Sequence, residues 1–189
     1  LEHPPLPPTN LRVSKIGLGT MTWVNPTPPA ECFEQMDYAI DAGVNFVDTA
    51  ELYPVPATAD TYADTERIMG DWFAARNNRD QVVLATKIAG PGAYTAHIRT
   101  TGFTPSSIRE ALEGSLTRLK TDYIDLYQLH LPERNANFFG KRDYFPDADE
   151  PLEEHVQAML ETLEAIVQEG KINQIGLRNG PQLASRKDI

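Results

Sequence analysis

Three observations predict an α/β fold built on a parallel sheet. Short apolar runs alternate with longer segments whose apolar residues recur at three- and four-residue spacing, in the order strand, helix, strand, helix. Each strand is followed by a helix-length crossover, which joins parallel neighbours with right-handed connections. Polar residues close successive strands, Asp48, Lys87 and His130 among them. A doubly wound sheet gathers its ligand at the one place where strand order reverses. A barrel brings every strand's C-terminal end around one mouth. Convergence from that many neighbouring strands favours a TIM-type (β/α)8 barrel. Only about five strands are legible, so the expectation is one domain over 1–189 holding the N-terminal part of such a barrel. The remainder would come from elsewhere, or the chain is a fragment.

Taken in order, residues 1–10 are proline-rich, with a turn at Thr9-Asn10 of a small hairpin leading into Leu11-Arg12-Val13. The first strand lies around Lys15–Leu18 and ends in Gly19-Thr20. Gly17 and Gly19 make a Gly-x-Gly without a third glycine or an immediate helix, a weak dinucleotide signal. Gly19 either permits a sharp turn or brings the backbone close to a ligand. Thr27 before Pro28-Pro29 reads as a capped helix start. Cys32, Phe33, Met36, Ala39 and Ile40 form that helix's stripe, and Gly43 ends it. The second strand is Val44 to Asp48. A polar loop leads to a helix over roughly Tyr62 to Ala75, with Ile68, Met69, Trp72 and Phe73 inward. The third strand is Val82 to Thr86, with Lys87 following it. After a Gly/Thr-rich loop, Thr104-Pro105 opens a third helix with Ile108, Ala111, Leu112, Ser115, Leu116 and Leu119 inward. The fourth strand is Tyr123 to Leu129, followed by His130. Residues 131–150 form a long loop with Phe138, Phe139, Tyr144 and Phe145, expected over the barrel mouth as a pocket wall. Pro151 opens a fourth helix ending at Gly170, and Ile172 to Leu177 is the fifth strand.

Composition removes several function classes. The 189 residues are 41% hydrophobic, enough for one core. The formal net charge of -10 argues against general nucleic-acid binding, which calls for a basic patch. Cys32 is the single cysteine, so no internal disulfide forms, which suits a reducing cytoplasm. It sits on the apolar side of its helix, as core filler rather than nucleophile. No run is long and apolar enough to span a membrane, and the first residues lack a signal-peptide pattern. His3, His97 and His155 share no metal-ligand spacing with one another or with Cys32, so no metal is expected.

The stretch Asn45–Tyr53 carries the chemistry. Asp48 stands where a strand stops and Tyr53 just past it, so carboxylate and phenol can face one cavity. With Lys87 and His130 at the next strand ends, the four make a proton-transfer set. Taken singly, each has an ordinary reading: a turn-capping Asp, a packed Tyr, a surface Lys, a structural His. Glu51 reads as a loop carboxylate and nothing more.

The stretches Leu11–Trp23, Asn45–Pro56, Val83–Lys87, Leu119–His130 and Gly170–Leu177 closely resemble the aldo/keto reductase family, and within it the bacterial Tas-like branch. The resemblance implies a (β/α)8 barrel using NADPH, less often NADH, to reduce small aldehydes and ketones. It makes Tyr53 the general acid, tuned by the Lys87 ammonium, because a nearby cation favours phenolate over a phenol of ordinary pKa near 10. Asp48 would hold Lys87 by an ion pair, and His130 would orient the carbonyl oxygen. Gly19, Thr20, Met21 and Asp48 would lie along the ribose and nicotinamide, and Asn179 would hold the carboxamide. Trp23 is either a substrate-pocket wall or a partly buried packing residue.

The sequence departs from the family at Gly176-Leu177-Arg178-Asn179, where relatives have serine for Arg178, and over Gly180–Ile189. Arg178 either meets a phosphate or marks where the likeness stops. Strands six to eight, which in relatives carry the aromatic that stacks on the nicotinamide and the adenosine-phosphate groups, are not found. The expected partner is therefore the C-terminal half of the barrel or a second copy of the chain. A non-catalytic reductase-like subunit that binds nucleotide or protein is the alternative function. A barrel hydrolase using Asp48 and His130 is weaker, lacking a nucleophile elbow or a carboxylate pair.

Overall fold

A computed structural model describes residues 1–130 and 152–178. Its elements are β1 (Gly17–Gly19), α1 (Pro29–Asp41), β2 (Phe46–Asp48), α2 (Asp64–Arg76), a 3-10 turn (Arg79–Gln81), β3 (Val83–Ala89), α3 (Pro105–Leu119), β4 (Ile124–His130), α4 (Leu152–Gln168) and β5 (Ile172–Arg178). All described strands lie in one sheet in the order β1-β2-β3-β4-β5, and every pairing is parallel. A doubly wound sheet would reverse that order once; no reversal occurs, and the topology is that of the first part of a (β/α)8 barrel. The long loop expected over 131–150 lies outside the described residues.

Successive strand residues face opposite ways, and the sheet uses its two faces differently. Leu84 and Ile88 of β3, Val47 of β2 and Tyr127 and Leu129 of β4 pack against Met69, Trp72, Ile108, Leu112 and Leu163 of the helices. This is the core. Ala85, Lys87 and Ala89 share the opposite face of β3, the side a barrel encloses.

Several element boundaries differ from the sequence expectation, each for a local reason. Thr27 does not cap α1. Pro28 is its N-cap, held extended at ψ 158, because the residue before a proline is pushed out of the helical region. Helix α2 starts at Asp64 rather than Tyr62, since Ala63 is left-handed at φ 62. Strand β3 does not stop at Thr86: pairing to β4 continues through Lys87↔Gln128, Ile88↔Leu129 and Ala89↔His130. Lys87 and His130 are therefore strand residues, not residues after strands. By contrast, Thr104 caps α3 as its sequence suggests, its hydroxyl accepting from the Ser107 amide at 3.2 Å. The N-terminal hairpin turns at Leu6–Thr9, with Pro5 bridging Arg12 antiparallel.

The starts of β3 and β4 are braced by one partly buried ion pair. Arg79 lies 4.1 Å over the Tyr123 ring and donates to Asp125 at 2.8 Å. The same carboxylate oxygen accepts the Leu84 amide at 2.9 Å. The polar cluster described next sits at the other end of these strands.

Candidate active site

The last residue of β2, Lys87 two residues before the end of β3 and the last residue of β4 come together because these strands are neighbours in near register: Asp48 pairs Ala85, and Ala89 pairs His130. Lys87 projects from the inner face of β3 with its side chain fully buried. Burying an ammonium is costly unless its donors are used. Here all three have acceptors: Asp48 Oδ2 at 2.8 Å, the Thr49 carbonyl at 2.6 Å and the Tyr53 hydroxyl at 3.4 Å. The ammonium also lies 4.6 Å from the Tyr53 ring centroid. Tyr53 meets the His130 ring edge to face, centroids 5.8 Å apart at 86°. Tyr53 and His130 are each 4% exposed. The structure thus brings the four sequence-selected residues into one cluster at strand C-terminal ends.

Asp48 has a second partner that the sequence reading missed. Gln128 donates from Nε2 to Asp48 Oδ1 at 3.2 Å, so both carboxylate oxygens are held. The available signal was spacing: Gln128 is two residues before His130 on one strand and so shares its face.

Glu51 is not an idle loop carboxylate. It is 3% exposed and takes both ends of the Arg99 guanidinium, at 2.7 and 2.9 Å, as well as the Ala89 amide at 2.9 Å. Its partner lies 48 residues further along the chain, a separation no local pattern reveals. Behind β3, Glu66 of α2 accepts from Thr86 and from Arg118, the latter at 2.7 Å.

The residues expected along a cofactor divide. At Gly19 an added Cβ would meet nothing within 4 Å, so the end of β1 is open to a ligand. Met21 is exposed. Thr20 is buried, and its amide and hydroxyl are both directed at the Asp48 carbonyl, so its side chain fixes Asp48 rather than facing a ligand. Of the two readings of Trp23, its burial supports packing over a pocket wall. It is 1% exposed, packed in the main core, and its indole N–H donates to Gln35 at 2.8 Å. Asn179 lies outside the described residues.

Cys32 is buried in α1, and burial pushes its thiol above the ordinary value. No helix among the described residues is long and apolar enough to cross a membrane. No three His, Cys, Asp or Glu among the described residues are placed to hold a metal. A shallow groove between α4 and β5, lined by Glu161, Glu164, Ala165 and Gln174, shares no residue with the cluster.

The profile of the aldo/keto reductase family matches residues 15–186. Protein Tas of Escherichia coli K12 is 38% identical over 188 residues, an alignment covering 95% of this chain and 52% of Tas. The uncharacterized oxidoreductase YrpG of Bacillus subtilis is 38% identical over 184 residues, covering 95% and 49%. Among solved structures, the holo form of aldo-keto reductase AKR11C1 from Bacillus halodurans superposes with a TM-score of 0.66 at 28% identity, covering 93% of this chain and 49% of that one. The chain spans about half the length of these relatives.

Proposed function

Because this chain belongs to the aldo/keto reductase family, we propose that it carries the proton-donating part of an NADPH-dependent reductase of aldehydes or ketones. The observation that carries this reading is one buried ammonium, Lys87, in contact with both the Asp48 carboxylate and the Tyr53 hydroxyl. Tyr53 donates its proton to the carbonyl oxygen. Lys87 stabilises the phenolate left behind, and Asp48, fixed by Gln128, keeps Lys87 charged and in place. His130, against the Tyr53 ring, orients the carbonyl oxygen. Bound NADPH, or less favourably NADH, supplies the hydride to the carbonyl carbon. The open backbone at Gly19, which pairs with Asp48, and the exposed Met21 that follows fit the nicotinamide end of such a nucleotide. Asn179 would hold its carboxamide. A small carbonyl compound and a cytoplasmic setting, where reduced nicotinamide is at hand, complete the proposal.

The test is reduction of a panel of aldehydes and ketones with NADPH and, separately, NADH. Tyr53→Phe keeps the ring and removes the proton donor. It should lower kcat by about 10²- to 10⁴-fold, the usual worth of a placed general acid, with little change in nucleotide affinity. Near-normal turnover in Tyr53→Phe would sink the role given to Tyr53.

One observation favours a second reading. β1 and β5 each have only one strand neighbour among the described residues, which suits a subunit that binds nucleotide or a partner without turning over. Saturable NADPH binding with no carbonyl reduction across the panel would favour it.

A further inference from the structure

The loop that carries Tyr53 is held by more than its own backbone. Residues 49 and 51 extend the β2–β3 ladder, Thr49 donating its amide to Ala85 and Glu51 to Lys87. The Tyr53 amide then turns back to the Ala50 carbonyl. From the middle of this loop the Glu51 carboxylate reaches forward to the Ala89 amide at the end of β3 and to Arg99. Arg99 belongs to the 90–102 segment, which folds onto itself through Thr95, whose hydroxyl donates to the Gly90 carbonyl and whose carbonyl accepts the Arg99 amide. Ile98, the residue before Arg99, packs against the cluster of Ala50, Leu52, Tyr53 and Ala89. Two loops are thereby locked together across the end of β3, two residues from Tyr53.

Glu51 and Arg99 are only 4% and 10% exposed as side chains. Desolvation offsets most of the attraction in such a pair, and apolar replacements are often no less stable. Its presence is therefore weak evidence for stability. Its geometry is specific: a two-pronged guanidinium–carboxylate contact defines distance and angle in a way a single contact does not. The contact it bears on is equally demanding, since the Tyr53 hydroxyl is already 3.4 Å from the Lys87 ammonium.

We propose that the Glu51–Arg99 pair is a positioning device that holds the Tyr53 hydroxyl against Lys87. The proposal rests on the reading of Tyr53 and Lys87 as acid and tuning cation. It assigns Glu51 and Arg99 no contact with substrate. Loosening the fork lets the loop drift, the hydroxyl leaves the ammonium, and the phenol loses the charge that favours its ionised form.

The test uses the 189-residue chain and does not depend on turnover. Tyrosine ionisation is followed by ultraviolet difference absorbance, and the Tyr53 component is obtained by subtracting Tyr53→Phe. Two variants keep every charge but break the fork. Arg99→Lys loses its planar geometry, and Glu51→Asp is one methylene short. Both should raise the Tyr53 midpoint by about half a pH unit or more, in the direction of Lys87→Met. In a preparation that reduces carbonyls, both should lower kcat about tenfold or more with KM little changed.

If either charge-conserving variant fails to fold, the double replacement Glu51→Gln/Arg99→Met removes both charges together and is read the same way. Unshifted Tyr53 midpoints in the folded variants, with Lys87→Met shifting as expected, would overturn the positioning role and leave the site reading standing. An unshifted midpoint in Lys87→Met would overturn the site reading itself, and the positioning role with it.

Discussion

Tyr127 is fully buried on the helix-facing side of β4, and its hydroxyl has no hydrogen-bond partner among the described residues. Burial pushes this phenol well above its ordinary value, and the carboxylates of Glu51 and Glu66 push the same way. In the unfolded chain the phenol ionises near its ordinary pKa of about 10. Above that pH the unfolded chain has shed a proton that the folded chain keeps. Stability should therefore be unaffected by this group below about pH 10 and should fall as pH rises beyond it. Tyr127→Phe removes the group and should flatten the alkaline limb of melting temperature against pH. At neutral pH the same variant should stay within about 1 kcal/mol of the parent, since no hydrogen bond to the described residues is lost. A parent and variant with superimposable alkaline limbs would contradict this account of Tyr127.

Among the elements, the crossing of α2 and α3 depends on one missing side chain. A Cβ at Gly70, inside α2, would lie 2.0 Å from the Arg118 carbonyl oxygen on α3, a backbone atom that cannot move aside. Helix propensity alone says that Gly→Ala should stabilise by about 1 kcal/mol. The crossing says the reverse: Gly70→Ala should lower stability by about 1–3 kcal/mol, the usual cost of overpacking, as read by urea melts. The number and order of the α-helices and strands among the described residues were legible because apolar stripes and short apolar runs alternate, whereas the 3-10 turn Arg79–Gln81 was not. Their ends were less so. The apolar run of β3 stops at Thr86, but its backbone pairing does not. A lysine can continue a buried strand when Asp48 receives it from the strand beside it, and only the fold supplies that neighbour. The same limit explains the site. Asp48, Tyr53, Lys87 and His130 could be read from their places in the chain. Glu51 could not, because its meaning lies in Arg99 on another loop. Trp23 stayed open between two readings because its partner Gln35 lies on a helix whose facing was not known.

For the molecule as a whole, the sheet of the described residues is open at both sides. Ile16, just before β1, is 60% exposed and Leu177, in β5, 69%. Unpaired strand edges flanked by apolar residues invite pairing with another chain. Purified alone, the 189-residue polypeptide should self-associate in a concentration-dependent way, measured by light scattering. A monodisperse monomer at micromolar concentrations and above would contradict this. The sheet's order has another consequence, for the time course of synthesis. Each strand pairs with the one made just before it, so each new strand leaving the ribosome meets a template already in place. Assembly can then run from the N-terminus, each pairing closing only the crossover between consecutive strands, a loop whose entropic cost grows slowly with its length. The contact between Lys87 and Asp48 needs only β2 and β3, and His130 joins when β4 docks. The cluster around Lys87 would therefore be in place early, before the later strands are laid down.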